Sequence, residues 1–247
     1  MLIGAAVIII TVAVVLLCYF GMRHIMPDNP DDRTKDLSGS VLFRISALHG
    51  LVLALVFASE VVEYQQLGLE IATEVNAVSD VYYDAARYGE AADGIQSIMQ
   101  EYLKVVQADE WQQLGTNGDL SGQAWAQWDA GYQLILDLPA ATPRHESLRE
   151  NMLRKIHLIA QNRDLREHHA KSSLNVLFWV AALIGVLLVA AAYYTFTASR
   201  SNVILISMYA AYTGFILFTI YAMSNPFVAP AAFEPVLFKE LLTELAD

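Results

Sequence analysis

Four runs of apolar residues dominate this sequence, and each has about the length that a helix needs to cross a lipid bilayer. A hydrocarbon core about 30 Å thick is spanned by roughly 20 apolar residues in a helical conformation. The runs cover residues 2–20, 41–59, 176–198 and 203–223. We therefore predict an integral membrane protein that crosses the bilayer four times.

The first two runs each admit a second interpretation. Residues 2–20 could be a cleaved signal peptide, but the basic start and the small-residue cleavage site of such a peptide are missing, so we expect a retained span. Residues 41–59 contain Arg44 and His49 and could instead form a buried helix of a water-exposed domain. Arg44 lies near the end of the run, where its side chain can reach the interface, and the surrounding apolar residues still favour insertion.

The distances between the runs predict the domain organisation. The first two spans and their loop occupy residues 1–59, an extramembrane helical domain follows at 60–172, a hairpin of two spans at 173–224 and an amphipathic tail at 225–247. Four spans place both termini and the extramembrane domain on the same side of the membrane. Lys and Arg residues are frequent just before the third span, which favours the cytoplasmic side of an inner membrane for this domain.

The extramembrane domain has the apolar spacing of α-helices, without the alternation that is typical of strands. Apolar residues from Ile71 to Ala85 are separated by four and three residues in turn, which is the seam spacing of a coiled coil. Because no strong helix breaker separates this seam from the second span, we predict one continuous helix that reaches about Tyr88 and ends at Gly89. The predicted fold class is all-α.

Three more helices are predicted before the third span. Apolar spacing indicates one helix over about residues 95–114 and another over residues 125–135, which ends before Pro139. Thr142 and Pro143 are residue types that favour a helix N-cap and the first helical position. The helix that they begin has no strong breaker before the third span, so we expect it to continue into that span.

The C-terminal tail ends in a short amphipathic segment, residues 234–247. We expect Leu237, Leu241, Leu242 and Leu245 to share its apolar face. This face could lie on the membrane surface or pack on the helical domain, and both interpretations fit the pattern.

His49 is an ionisable residue deep inside a span, and lipid offers such a residue no partner, which makes it a candidate for function. Helical geometry puts Ser46, Phe57 and Glu60 on roughly the same face, and Glu63 follows one turn later. We predict that Ser46, His49, Phe57, Glu60 and Glu63 line an ion pathway. The alternatives are a neutral His49 that is hydrogen-bonded to a neighbouring helix, and solvated carboxylates at the membrane boundary.

Composition and motifs argue against several classes of function. A net charge of −11 is unsuited to nucleic-acid binding, which requires a basic surface. Cys18 is the single cysteine, so a disulfide within the chain is impossible. The sequence has no phosphate-binding loop, HExxH pattern or serine elbow, and the adjacent residues His168 and His169 point about 100° apart on a helix. We therefore predict no catalytic residues, no metal site, no cofactor and no enzyme activity.

Acidic residues follow the predicted helix beyond the second span. We expect them to form a mostly solvated face, although Arg163 and Arg166 on the last extramembrane helix are available as partners. The acidic residues are Glu70, Glu74, Asp80 and Asp84.

Several short motifs occur in a characteristic order along nearly the whole chain. In this order the sequence resembles the bestrophin-like bacterial membrane proteins, a family of unknown function. The motifs are Leu48-His49-Gly50-Leu51, Glu74-Val75-Asn76-Ala77, Tyr102, Glu110-Trp111, Arg163 with Arg166, and Asn225-Pro226-Phe227. Within them, the resemblance suggests structural roles for Glu74, Asn76, Glu110, Trp111, Arg163, Arg166, Pro226 and Phe227.

The resemblance has implications for function. Bestrophins are oligomeric anion channels whose pore is lined by a membrane helix that continues into a cytosolic helical domain, but no match to their pore neck or calcium clasp is found here. The resemblance implies a homo-oligomer in the lipid bilayer, with an inorganic ion passing along the second span. The alternative is a membrane-tethered scaffold or sensor whose acidic helical domain binds a protein partner.

Overall fold

The computed structural model describes residues 2–26, 31–172 and 174–246, and over these ranges the chain is helical, without β-strands. This confirms the all-α fold class. The α-helices of the described residues are α1 Leu2–Ile25, α2 Asp32–Tyr88, α3 Asp93–Val105, α4 Trp111–Thr116, α5 Gly122–Asp137, α6 Pro143–Lys171, α7 Val176–Ala192, α8 Arg200–Met223 and α9 Val236–Glu244.

The chain divides into two compact units. The membrane unit comprises Met1–Val62 and Leu174–Ser224, and the helical unit comprises Glu63–Ser173 and Asn225–Asp247. Among the described residues, four helical stretches are long and apolar enough to cross a bilayer, and they contain α1, α2, α7 and α8. The four predicted spans are therefore confirmed as helices.

In the membrane unit, α1 and α8 approach each other closely because small residues lie at their contact. A Cβ atom on Gly214 of α8 would come within 2.9 Å of the Thr11 hydroxyl oxygen on α1. Small residues let helix backbones approach closely where lipid provides little hydrophobic driving force for helix association. A second contact joins α2, α7 and α8 through Leu53, Ala182 and Ile220, which are all buried.

The second span continues as predicted into one long helix. Helix α2 contains 57 residues, far more than the roughly 20 that a bilayer requires, and it contributes to both units. It ends at Tyr88 because Gly89 has a φ of 105°, a conformation that favours glycine and ends helices. In the helical unit the predicted seam is buried at Ile71, Val75 and Val78.

The helix predicted over residues 95–114 is interrupted by a π-helical turn, Val106–Glu110, between α3 and α4. The sequence pattern did not predict this turn. In a regular α-helix, a residue eight positions after Tyr102 would lie about 80° around the axis from it. The π turn holds an additional residue, which brings Glu110 back towards the buried face of Tyr102.

The predicted start of α6 is confirmed, whereas α5 begins at Gly122, before the apolar stripe that predicted it, and both helices have capping side chains. The Ser121 hydroxyl oxygen accepts a hydrogen bond from the Ala124 N–H at 3.4 Å, and the Thr142 hydroxyl oxygen accepts one from the His145 N–H at 3.1 Å. Pro143 occupies the first turn of α6. A backbone N–H at this position would have no intrahelical acceptor, so the helix loses no hydrogen bond to proline.

The prediction that α6 runs on into the third span was wrong. Helix α6 ends at Lys171, Ser172 is extended with a ψ of 120°, and α7 begins only at Val176. The Asn175 side chain accepts a hydrogen bond from the Leu177 N–H at 2.9 Å and so caps α7. Asn side chains compete with the helical backbone for its hydrogen bonds, which is consistent with a break without Gly or Pro.

The tail packs on the helical unit. Phe238 of α9 is fully buried and Leu241 and Leu245 are buried with it in the core of that unit. Leu237, which was predicted on the apolar face, is 38% exposed, so that assignment was wrong. The aromatic ring of Phe238 lies 5.4 Å from the ring of Trp111. This contact places Phe238 at the centre of the buried face of α9.

Candidate functional sites

A cavity of about 300 Å³ lies in the membrane unit between α2 and α8. It brings together Ser46, His49 and Phe57, three of the residues that the sequence placed on one polar face. The other wall of the cavity was not predicted, because nothing in the sequence pairs α2 with α8. The complete lining is Ser46, His49, Gly50, Leu53, Ala54, Phe57, Tyr209, Tyr212, Thr213 and Ile216.

His49 lies against Gly185 of α7. Its side chain is buried, with 7% of the residue exposed, and a Cβ atom on Gly185 would fall only 2.1 Å from its Nδ1 atom. Glycine is therefore required at position 185 for the ring to occupy this place. The Nε2 atom at the opposite edge of the ring is buried and has no hydrogen-bond partner among the described residues.

Tyr209, on the α8 wall of the cavity, also has a buried polar atom. Its hydroxyl oxygen is also buried without a hydrogen-bond partner in the described part of the chain. A buried polar group without a partner costs about 1–3 kcal/mol. The ten lining residues include no Lys, Arg, Asp or Glu, so the cavity combines neutral polar groups with apolar and aromatic walls.

The two carboxylates of the predicted pathway differ in exposure. Glu60 is buried on the same side of α2 as His49, whereas Glu63 is exposed. Another side of α2 carries apolar residues at every seventh position, about 80–140° around the helix from His49. We call these residues the outward stripe; they are Val41, Leu48, Leu55 and Val62, all of them exposed.

Four charged side chains meet in the interior of the helical unit, and we call them the charge cluster. They are Glu74 from α2, Glu110 from the π turn, and Arg163 and Arg166 from α6. Arg166 Nη1 donates to Glu74 Oε2 at 2.5 Å and Arg163 Nη2 donates to Glu110 Oε2 at 2.5 Å. Arg166 Nη2 also donates to Glu110 Oε1, so Glu110 bridges the two arginines. Two positive and two negative charges therefore compensate one another.

Neutral groups complete the surroundings of the charge cluster. The Tyr102 hydroxyl donates to Glu74 Oε1 at 2.5 Å, and the Ser121 backbone N–H donates to Glu110 Oε2 at 3.0 Å. The guanidinium carbon of Arg163 lies 4.1 Å from the centre of the Trp125 ring, and that of Arg166 lies 5.0 Å from the Trp111 ring. Such stacking stabilises a desolvated cation by about 2 kcal/mol or more.

Burial shifts the protonation equilibria of the charge cluster. Desolvation raises the pKa of Glu74, and the nearby Arg166 opposes this shift. Burial and the Glu74 charge raise the pKa of Tyr102 well above its ordinary value. Desolvation alone would lower the pKa of Arg166, but Glu74 and Glu110 outweigh it and raise this pKa. Arg166 therefore stays charged, and the cluster is a structural link between α2, the π turn and α6.

The expectation of a mostly solvated acidic face on α2 was wrong. Glu74 is fully buried, and Glu70 and Asp84 are also buried. The alternative, pairing with an arginine of α6, is confirmed for Glu74 and Arg166. The reason is that α6 lies along this side of α2, where its other polar residues face the remaining carboxylates. These contacts are His169 Nε2 to Glu70 Oε2 at 3.2 Å, Asn151 Nδ2 to Asp84 Oδ2 at 2.6 Å and Lys155 Nζ to Asp80 Oδ2 at 2.8 Å.

Comparison with known proteins identifies the family. The model of the bestrophin-like domain matches residues 9–235, which is most of the chain. The chain belongs to the bestrophin-like family. The predicted resemblance is thereby confirmed. No match was found among curated proteins.

Solved structures support the same fold. A bacterial bestrophin homologue from Klebsiella pneumoniae with a point mutation superimposes with a TM-score of 0.69 at 9% identity, over 99% of each chain. A second mutant form of that homologue gives a TM-score of 0.64 at 13% identity, over 99% of this chain and 98% of the other. A structure described as a membrane protein gives 0.67 at 9% identity, over 99% of this chain and 97% of the other. At these identities the likeness shows the fold alone.

The remaining motif residues of this bestrophin-like chain form a second contact of the helical unit. Trp111 Nε1 donates to the Phe233 carbonyl at 2.8 Å, and its ring lies 5.8 Å from that of Phe227. The Pro226 carbonyl accepts from the Phe233 N–H at 2.8 Å. Asn76 is exposed and lies outside both this contact and the charge cluster.

Proposed function

We propose that this bestrophin-like protein is a homo-oligomeric ion channel in the inner membrane, with α2 nearest the axis and the helical unit on the cytoplasmic side. The observation that carries the proposal is the outward stripe. Its exposed residues recur every seven positions, which is the repeat of helices that pack side by side around a common axis. Membership of the bestrophin-like family supports it.

The repeat does not end with the predicted span. Leu69, seven residues after Val62, belongs to the helical unit and is exposed as well. Within lipid, an exposed leucine is at no disadvantage, but at Leu69 it would face water. A neighbouring copy of α2 would cover it, and this favours self-association over simple exposure to lipid.

Along the proposed pathway, Leu48 and Leu55 form an apolar constriction, and Glu63 adds a carboxylate from each copy at one end. Apolar constrictions gate by excluding water, and rings of acidic side chains favour cations. Ser46, His49, Phe57 and Glu60 belong to the inward side of α2. We propose that they act on the pathway through the packing of α2 and do not contact the ion.

The test is ion flux into liposomes that contain the purified protein. Leu55→Ala should raise flux several-fold because it widens the constriction. Leu205→Ala on α8 is a matched control, since Leu205 and Leu55 are both 63% exposed, and it should leave flux unchanged. Equal effects of the two variants, or a strictly monomeric particle in detergent, would refute the proposal.

Glu63→Lys tests which residues face the ion. It should shift the reversal potential towards anion permeation, whereas Glu101→Lys, at an exposed residue of α3, should not. If wild-type flux stays at background in every salt, the scaffold interpretation replaces the channel.

A further inference from the structure

We propose that the loop between α8 and α9 inserts an apolar tip into the surface of the lipid bilayer. We call residues 226–233 the tail loop, and its tip consists of Val228, Ala229 and Pro230, all of them exposed. The proposal goes beyond channel function, because it concerns the tail of the chain and requires neither an oligomer nor an ion.

Contacts at both ends hold the tail loop on the helical unit. The Phe233 N–H donates to the Pro226 carbonyl at 2.8 Å and closes the loop, and the Phe233 carbonyl accepts from Trp111 Nε1 at 2.8 Å. A Cβ atom on Gly115 of α4 would come within 2.8 Å of the Phe227 carbonyl oxygen, so the loop backbone lies directly on α4. The tip is therefore held at the surface of the unit although its side chains are apolar.

The tail loop lies at the end of the helical unit where α2 enters it. Tyr64 follows Val62, the last residue of the membrane unit on α2, by two positions. The centre of the Tyr64 ring lies 4.3 Å from the centre of the Phe233 ring, and the Tyr64 hydroxyl donates to the Ala231 carbonyl at 2.9 Å. The loop is thus fixed to α2 just after this helix leaves the membrane unit.

The length of chain after the fourth span sets a similar limit. Val228 follows Met223, the last residue of α8, by five positions, and five extended residues reach at most about 18 Å. The Val228 N–H donates to the Asn225 carbonyl at 3.0 Å, so the actual path is shorter. The tip therefore lies close to two of the places where the chain passes between the units.

The composition of this segment suits the bilayer surface. Glu234 is the single charged residue between Met223 and Phe238, and a carboxylate can stay at the level of the headgroups. Val236 and Leu237 are 47% and 38% exposed and add to the apolar surface. Apolar side chains gain free energy when they leave water for the boundary between headgroups and acyl chains. Contact with lipid would also explain why Leu237 is exposed.

A second copy of the chain is the competing occupant of this surface. The apolar repeat that suits a neighbouring helix is the outward stripe of α2, to which the proposed function assigns the neighbouring copies. The tip of the tail loop has no helical repeat and no polar side chain that would select a protein partner. A bilayer surface needs no such matching, which favours lipid.

The experiment measures the depth of a single fluorescent label in the full-length protein in nanodiscs. Cys18→Ser removes the native cysteine, and Val228→Cys carries the label NBD at the tip. Lipids with a nitroxide near the headgroup should quench this label several-fold more strongly than the same label at Leu134→Cys. Iodide, a quencher in the water, should show the opposite order.

Leu134 is a matched control, since it is 40% exposed and Val228 is 43% exposed. It lies near the end of α5, shortly before Pro139, whose carbonyl accepts from the Tyr88 hydroxyl. Tyr88 is about 36 Å along α2 from Tyr64, so the control label is far from the tail loop.

A second pair of variants tests whether the tip itself enters the lipid or the label draws it in. With the label at Ala229→Cys, Val228→Asp should lower quenching by the nitroxide lipids several-fold, because a charge is costly to remove from water. Val228→Ile keeps the tip apolar and should leave quenching unchanged.

Equal quenching of the labels at positions 228 and 134 by iodide would refute the proposal, as would unchanged quenching in Val228→Asp. Protection of the label at position 228 from both quenchers would also overturn it, because a protein surface would then cover the tip. Since no ion flux is measured, failure of the channel proposal leaves this result interpretable.

Discussion

The charge cluster of the helical unit and the cavity of the membrane unit bury polar side chains in opposite ways. The cluster buries four ionisable side chains and pairs each carboxyl group with an arginine. The cavity buries neutral groups, and His49 Nε2 and the Tyr209 hydroxyl have no partner among the described residues. The cluster lies in the interior of the helical unit, whereas His49 and Tyr209 belong to the lining of a cavity of about 300 Å³.

The difference teaches what each unit needs in order to bury polar groups. Buried charges need opposite charges nearby, and the cluster supplies them from within the chain, although Arg163 Nε and Nη1 and Arg166 Nε are buried without a hydrogen-bond partner among the described residues. Neutral polar groups are less costly to leave unpaired. Three substitutions, each made in the full-length protein, test this comparison between the charge cluster and the cavity.

The largest effect is expected from Glu110→Gln. The substitution keeps the size of the side chain but removes the charge that bridges Arg163 and Arg166, so two buried cations lose compensation. We expect a loss of about 3–5 kcal/mol in the free energy of unfolding. Tryptophan fluorescence during denaturation measures it, since Trp111, Trp125 and Trp128 belong to the helical unit.

The control for this prediction is Glu101→Gln, which breaks an exposed pair with Lys104 and should cost at most about 1 kcal/mol. Similar losses in both variants would show that the cluster is no more important than a surface ion pair.

An intermediate effect is expected from Gly185→Ala, which tests the membrane side of the comparison. The new methyl group would collide with the His49 ring, and overpacking of this kind costs about 1–3 kcal/mol. The midpoint of thermal unfolding in detergent should fall. In the double variant with His49→Ala, the methyl group has space, and part of the loss should be recovered.

Gly50→Ala is the matched control, because nothing lies within 4 Å of a Cβ atom at that position. It should be neutral or slightly stabilising, as alanine favours the helix over glycine. A double variant less stable than Gly185→Ala would contradict the assigned contact.

The smallest effect is a pH dependence that Glu74 confers on the helical unit. Because burial raises the pKa of Glu74 in the folded state, its contribution to stability is complete below its unfolded pKa and is lost as the pH rises through its folded pKa. The wild type should therefore gain stability relative to Glu74→Gln as the pH falls through the raised pKa of the folded state. The measurement is the difference between their denaturation midpoints over a series of pH values.

The opposite trend, a difference that shrinks as the pH falls, would mean that Arg166 outweighs desolvation and holds Glu74 in its charged form. That result would also make the charge cluster more strongly ionic than the raised pKa implies.

Much of the fold follows from local pattern. The apolar runs predicted all four spans, and the seam spacing after the second span predicted that α2 continues to Tyr88. Thr142 and Pro143 marked the start of α6 correctly. These features depend on residues within a few turns of one another, so a single sequence contains the information that they need.

The sites depended on contacts that local pattern does not encode. At the break between Lys171 and Val176, the Asn175 side chain caps α7, and a single Asn is a weak signal in a sequence. The position of Gly185 in the middle of the third span did not predict that this residue packs against the His49 ring. Nothing in the sequence links Tyr209 and Tyr212 to α2, and only the pairing of α2 with α8 put them at the cavity.

By itself, the sequence determined that this chain is helical and crosses a membrane, because hydrophobicity and helical period act along the chain. Only the tertiary structure decided which polar residues are paired. Glu74 and Arg166 lie far apart in sequence and become partners when α2 and α6 pack together in the helical unit. The same reason leaves His49 Nε2 buried without a hydrogen-bond partner among the described residues, since the helices that pack against α2 decide what surrounds it.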